Sequence, residues 1–417
     1  MELTLSNIST SLVCIVAITW FWRILKWLWL KPKMLEKCLT KQGFRGEKTF
    51  VWNGPTPTVI VTNPEEIRKI LMKISDFQKT IPNPILKRIT NGLTRHEGQK
   101  WVQQRKLINP AFHMEKLKQM QSLEQHLEAV FKMEEGCLNF LENIFQSLFI
   151  PTKNNKREAK IIKQINTLLK DMIQKRQKAM KEEEETRDDL LGLLLKSNKE
   201  GIEQDHHEHE QDSHNKKHVH VKMSLKEVIE ECKTFYIAGQ ETTSTLLVWT
   251  LVLLSKHPNW QEQLREEILA TFGHNTPSYD GLNQLKKVLR LYPPAPSPTR
   301  KLCTKMKVGD AILPEGVQVN LSLVHVHQNE KYWGSDAKEF NPERFSQGIL
   351  QATSGNMCFF AFGWGPRICI GSNFAMLQVK MALAMILQRF VLELSPSYAH
   401  APTNTRGTLR PQFGANL

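Results

Sequence analysis

The stretch Phe359-Phe360-Ala361-Phe362-Gly363-Trp364-Gly365-Pro366-Arg367-Ile368-Cys369-Ile370-Gly371 decides the reading of this chain. An apolar run, Phe374 to Phe390, follows it and predicts a buried helix. Cys369 therefore lies in a glycine-rich turn that feeds a helix N-terminus. Backbone N–H groups and the helix dipole at such a place favour a thiolate. Gly365 and Gly371 remove side chains on either side, so a flat ligand could approach the backbone closely. Arg367, two residues before the cysteine, offers a fixed cation to an anionic group on that ligand. A thiolate, a close-approach loop and a carboxylate partner are what a thiolate-ligated heme needs.

Other readings of Cys369 are weaker. A lone cysteine is ordinarily a small buried hydrophobe. Zinc would need a paired cysteine, and Cys358 lies too far upstream. A nucleophile would need a neighbouring base, which the stretch does not contain. The whole pattern, Phe362-x-x-Gly365-x-Arg367-x-Cys369-x-Gly371, is far more specific than its letters. It resembles the heme-binding signature of the cytochrome P450 superfamily. The resemblance implies a mainly α fold with a small β domain. It also implies heme b, with Cys369 as the iron ligand and Phe362, Gly365, Arg367 and Gly371 around it.

Further stretches carry the same resemblance. Ser224-Leu-Lys-Glu227 is a capping box. It opens a helix that can run to Lys256, where His257-Pro258 ends it. The middle of that helix reads Ala238-Gly239-Gln240-Glu241-Thr242-Thr243. A mid-helix glycine costs about 1 kcal/mol relative to alanine, and adjacent threonines add crowding. An acid and an alcohol beside such a weak point could accommodate dioxygen and relay protons to it. The stretch resembles the family's oxygen-activation motif, with Glu241 and Thr242 as the acid–alcohol pair. Trp101 and Arg105 share a helix face through their spacing of four. By resemblance, Trp101, Arg105, Arg300 and Arg367 bind the heme propionates. Glu339 to Phe345 resembles the family's Pro-Glu-Arg-Phe meander. The family's Glu-x-x-Arg is here Lys287-Val-Leu-Arg290, and Lys287 would repel both Arg290 and Arg344.

The 417 residues carry 41% hydrophobic side chains and a net charge of +14. That charge suits an acidic protein partner or an anionic membrane surface. No zinc finger or basic-aromatic array points to nucleic acid. Seven cysteines without a spacing rule argue against a disulfide framework and for a reducing compartment. Leu12 to Phe21 is apolar and continues through Trp22, Trp27 and Trp29, with Arg23 and Lys26 able to snorkel. The uncharged core is short for a span of roughly 20 residues. Lys31, Lys33 and Lys37 favour a cytosolic downstream chain. No basic start or small-residue cleavage site marks a removable signal. The expectation is an anchor over 1–33 and one heme-thiolate domain over 34–417.

Between these landmarks, Thr49 to Thr62 predicts a β-hairpin, and Pro64-Glu65-Glu66 opens a helix. Phe77 to Gly98 reads as a long loop. Ala159 to Met180 predicts an amphipathic helix, and Glu182 to Glu185 a solvated charge run. Six histidines between Asp205 and His220 read as a surface loop able to bind metal adventitiously. Trp260 to Phe272 predicts a helix closed by Gly273, and Val317 to Val326 a strand.

The resemblance runs from the anchor to about Gly414 and is strongest to the plant branch containing secologanin synthase, through stretches such as Ile108-Asn109-Pro110-Ala111-Phe112. It implies an endoplasmic reticulum monooxygenase facing the cytosol and acting on a small lipophilic substrate such as a terpenoid. Its electrons would come from NADPH through an NADPH-cytochrome P450 reductase. The fold is incomplete against that pattern. Material is missing after about Arg45, around Gln121 to Glu134, and between Lys286 and Lys287. The proline-rich hinge is reduced to Pro32. Two rival readings follow. One is a non-catalytic remnant unable to hold heme. The other is a heme isomerase or dehydratase acting on hydroperoxides, which would have no use for Glu241 and Thr242.

Overall fold

The computed structural model describes residues 15–16, 18–23, 25–26, 30–41, 50–53, 56–80, 91–113, 153–181, 190–196, 223–275, 277, 288–353, 355–405 and 407–417. Lys287, the histidine tract, the acidic run at 182–185 and the three expected gap sites lie outside these residues. At the N-terminal end, the described residues from Ile15 to Leu25 are helical, and Ile18, Trp20 and Phe21 are exposed.

Helix α1 (Lys31–Lys41) buries Leu35 and Leu39 and packs on the strand β2. The expected hairpin forms from β1 (Phe50–Asn53) and β2 (Thr56–Val61), with Phe50 opposite Val59 and Asn53 opposite Thr56. Helix α2 (Pro64–Met72) starts as its sequence predicts. Asn63 accepts from the N–H groups of Glu65 and Glu66, and two acids fill the first turn.

The stretch Phe77 to Gly98 is not wholly a loop. Phe77–Lys79 forms β3, antiparallel to β4 (Thr299–Leu302), with Lys79 opposite Arg300. Three residues carry no period of their own, so the partner strand makes this one. The sheet is completed by β7 (Gln318–Leu321), in the order β1-β2-β7-β4-β3, with only β2 and β7 parallel. A small hairpin, β5 (Met306–Val308) with β6 (Ala311–Leu313), lies between β4 and β7 in sequence.

The expected strand Val317 to Val326 is also shorter. Pairing stops at Leu321, where Ser322 N–H bonds Val61 O, and Leu323–His327 turns into a short helix. The apolar run continues because Leu323 and Val326 bury the helical turn.

Helix α3 spans Gly98–Ile108, and α4 spans Lys153–Lys181, longer at its start than its apolar period suggests. Helix α5 (Leu225–Lys256) has the full capping box at Ser224 and Glu227. Helix α6 (Pro258–Phe272) ends at Gly273, whose φ is 58°. A short turn of helix, Val288–Leu291, carries Arg290, and α7 (Ser372–Arg389) follows the cysteine loop. The hairpin β8 (Pro402–Thr405) with β9 (Thr408–Pro411) lies against α5.

Three apolar clusters hold these elements. One fills the sheet and the meander, through Val319, Trp333 and Phe360. A second joins the C-terminal half of α5 to α6 and α7, through Trp249, Ile268 and Leu383. The third joins α3, α4 and the N-terminal half of α5, through Trp101, Ile173 and Val228. By length and composition α5 could cross a membrane. Its two halves are instead core, as a long central helix of a globular domain should be.

Candidate active site

The cysteine loop is closed by its own backbone. Gly363 N–H bonds Phe360 O at 2.8 Å, Ile368 N–H bonds Gly365 O at 3.1 Å, and Cys369 N–H bonds Phe362 O at 2.9 Å. Phe362 packs into the cluster on the C-terminal half of α5, and Ile370 into the cluster on its N-terminal half. Between those halves, no residue from Phe235 to Ser244 is buried, and Ala238 is exposed. A Cβ built on Gly239 would meet nothing within 4 Å. The middle of a helix whose ends are core thus faces open space.

The glycines of the loop divide their work. Gly365 has φ +70°, and a Cβ there would meet Met72 Sδ at 2.8 Å and Leu71 O at 3.2 Å. Its missing side chain lets the loop sit on α2, and is not space for a ligand as its sequence suggested. Gly371 is open by contrast, with Phe112 at 3.9 Å its nearest neighbour.

Cys369 is exposed, yet enough protein packs around its thiol to desolvate the charged form. Burial pushes the thiol up, against the Gly371 backbone N–H and the Arg105 guanidinium, which pull it down. Without a metal, burial therefore opposes the thiolate that the helix start favours. The helix start lies beyond the thiol, with Gly371 as its N-cap, and desolvation of the charged form outweighs it. A bound metal cation would reverse that balance, because a coordinating thiol loses its proton outright.

Arg367 donates to Glu97 and to His96 O (3.3 Å), and its guanidinium lies 4.5 Å from the Trp101 ring centroid. Trp101 is buried and sits on α3 with Arg105. Arg300 faces Lys79 across the β3–β4 pair. The four cations act on one another. Burial first, then Arg367, Arg300 and Arg105, push the Lys79 amine down to about 7, against the pull of Glu97. Burial and Arg367 likewise lower Arg300. Lys79 Nζ donates to Thr94 O at 2.7 Å, while its backbone N–H bonds Glu97 at 3.1 Å. Arg367 Nε is buried with no hydrogen-bond partner among the described residues. Lys79, Arg300 and Arg367 therefore gather about the carboxylate of Glu97, and Arg105 links them to Cys369. A dianionic, planar ligand bearing a metal fits this set. The thiol supplies a ligand atom, and the surplus positive charge suits two carboxylates.

Glu241 and Thr242 are not joined to each other. Glu241 is ion-paired with Arg410 on β9 and accepts from the Thr408 hydroxyl at 2.9 Å. Thr242 donates to Ala238 O at 2.7 Å, the usual back-bond of a helical threonine. The neighbouring Thr243 hydroxyl is buried without a partner.

Sequence reading missed Lys79, Glu97, Thr408 and Arg410. Only Glu97, four residues before Trp101, stood within helical reach of a residue already singled out.

Comparison with known proteins gives a consistent picture. The profile described as Cytochrome P450 matches residues 17–133 and 114–415. Cytochrome P450 CYP72A219 of Panax ginseng is 40% identical over 100% of this chain and 99% of its own. That alignment runs over 524 positions against 417 residues, so stretches of the relative have no counterpart here. The 11-oxo-beta-amyrin 30-oxidase of Glycyrrhiza uralensis is 42% identical, over 89% of this chain and 80% of its own. The echinocystic acid 23-monooxygenase of Saponaria officinalis is 38% identical, over 99% and 98%. Among solved structures, the retinoic acid-bound cyanobacterial CYP120A1 superposes with a TM-score of 0.73. It is 19% identical over 89% of this chain and 91% of that one.

Proposed function

The chain belongs to the cytochrome P450 family, and we propose that it is a heme-thiolate monooxygenase acting on a small lipophilic terpenoid. The observation that carries this reading is the cluster of basic side chains beside an exposed thiol. Lys79, Arg105, Arg300 and Arg367, with Trp101 beneath Arg367, would hold the two heme carboxylates. Cys369 would ligate the iron, on a loop whose Phe362 carbonyl fixes its backbone and whose Gly371 leaves room. Bound heme supplies the reductive activation of dioxygen and the insertion of one oxygen atom into the substrate.

The chain's own residues supply protons and order. Glu241 draws its proton from the side of Arg410, which faces solvent in part, with the buried Thr408 hydroxyl beside it. Thr242 exchanges its back-bond to Ala238 for a partner in the hollow beside Gly239. Relatives named as triterpenoid oxidases support the terpenoid class. Electrons would come from NADPH through an NADPH-cytochrome P450 reductase. The exposed apolar helix near Ile18 to Trp22 supports an anchor over 1–33 in the endoplasmic reticulum membrane. Residues 34–417 would then form the cytosolic catalytic domain.

The test is Thr242→Ala. The variant keeps heme and consumes NADPH, but product per NADPH falls at least about tenfold as reducing equivalents go to peroxide. Unchanged coupling would place proton delivery elsewhere. The length of the relatives' alignment favours a second reading, a remnant that cannot load heme. A purified parent chain with no heme, beside a gap-filled version that loads it, would decide for the remnant.

A further inference from the structure

His327 ends the short helix Leu323–His327 and is fully buried. Its Nε2 accepts the backbone N–H of Phe360 at 2.9 Å. Its own carbonyl accepts from Arg290 Nη1 at 2.9 Å. The ring lies against Phe359, with centroids 5.4 Å apart and planes at 20°, and meets the Trp333 ring nearly edge-on. Phe360 enters the cysteine loop, and its carbonyl accepts the Gly363 N–H that starts the turn. One residue thus joins the buried arginine to the segment that leads into the Cys369 loop.

A nitrogen that accepts from a backbone N–H carries no proton, so the ring is the neutral tautomer with hydrogen on Nδ1. That Nδ1 is buried without a partner among the described residues. An unmet donor costs free energy, so the Phe360 bond is what the position retains. We propose that His327 is a positioning residue that holds the Cys369 loop in heme-binding register, by accepting the Phe360 N–H as a neutral imidazole while Arg290 holds its carbonyl. The bond itself is read from the fold. Its consequence for heme rests on the monooxygenase reading above.

The surroundings keep the ring neutral. Arg290 is the charged group that bears on it, and the faces turned to it by Trp333, Phe359 and Phe360 are uncharged. Burial, then Arg290, lower its titration from 6.5 to about 3. With the folded value below the unfolded one, the unfolded chain binds more protons between these values. Stability from this group is complete above 6.5 and is lost as pH falls towards 3.

The experiment follows amide hydrogen exchange at Phe360 in the full chain, in the parent and in His327→Gln and His327→Leu. A glutamine oxygen can accept the same bond and a leucine cannot. The parent's Phe360 amide is expected to exchange as slowly as the core amide of Val319. His327→Gln stays within about tenfold of it, and His327→Leu exchanges at least about a hundredfold faster. Heme transfer to apomyoglobin follows the same order, and its acceleration below pH 6.5 is absent in His327→Gln. If the leucine variant does not fold, His327→Asn, too short to reach, takes its place. A parent amide as fast as those of the exposed hairpin at Thr403 would overturn the proposal. So would glutamine and leucine variants that behave alike. The exchange measurement reads the bond whether or not the chain retains heme, so its failure is distinct from failure of the monooxygenase reading.

Discussion

Two groups of buried cations flank the cysteine loop, and they are neutralised differently. Arg290 donates to the carbonyls of His327, Ala337 and Glu339, and its guanidinium lies 5.2 Å from the Trp333 ring centroid. Arg344 donates to the carbonyls of Trp333 and Asp336 and pairs with the Asp336 carboxylate. That group closes on the chain's own oxygens, save for Arg344 Nε, which has no hydrogen-bond partner among the described residues. The group of Lys79, Arg105, Arg300 and Arg367 has, among the described residues, the carboxylate of Glu97 to answer it. Both groups follow the rule that buried charge must be answered. The first is answered by backbone and is architecture. The second is left in surplus, and surplus charge beside an exposed thiol marks a place for a ligand.

The largest test of this contrast is Arg290→Met. It leaves three buried carbonyls without their donor and should cost about 3–5 kcal/mol, read from urea unfolding. Arg290→Lys should recover less than half, because an ammonium cannot span the three acceptors. A loss below 1 kcal/mol would mean that the carbonyl cage does not hold the meander. The cage also bears on the expected repulsion by Lys287. Among the described residues, Arg290 is secured by carbonyl oxygens and not by a carboxylate.

Lys79→Met tests the other group at intermediate size. In the folded chain the amine titrates near 7, against 10.5 when free. The unfolded state therefore binds more protons between these values, and stability through Lys79 rises with pH across that window. Thermal unfolding of heme-free parent and variant between pH 7 and 9 should show the rise only in the parent. The variant should also lose heme several-fold faster. Equal pH slopes would remove Lys79 from the cluster.

The smallest effect is expected from Asp336→Asn. Arg344 holds this carboxyl below the usual range, but the side chain is partly exposed. The loss should stay under about 1 kcal/mol, with heme retention unchanged. A large loss of heme would mean that the two cation groups are coupled.

The parts legible in the sequence were those set by local chemistry. The capping box at Ser224, the proline start at Pro64 and the glycine stop at Gly273 each acted where the residues stand. The cysteine loop was legible because its pattern is dense. Missed parts depend on distant partners. β3 exists because β4, more than 200 positions later, pairs with it, and that pairing brings Lys79 into the cation group. His327 was hidden in a run that reads as strand, and its role appears only once Phe360 is beside it. At Cys369 the sequence shows a nearby helix start but not the desolvation around the thiol that opposes it.

The central claim is that Cys369 ligates heme through sulfur. The direct measurement is the absorption of the reduced, carbon monoxide-bound protein in the parent and in Cys369→Ser. The parent should show the strongly red-shifted band of thiolate ligation. The serine variant should lose it, while the cation group still retains part of the heme. The same red-shifted band in the serine variant would contradict the assignment.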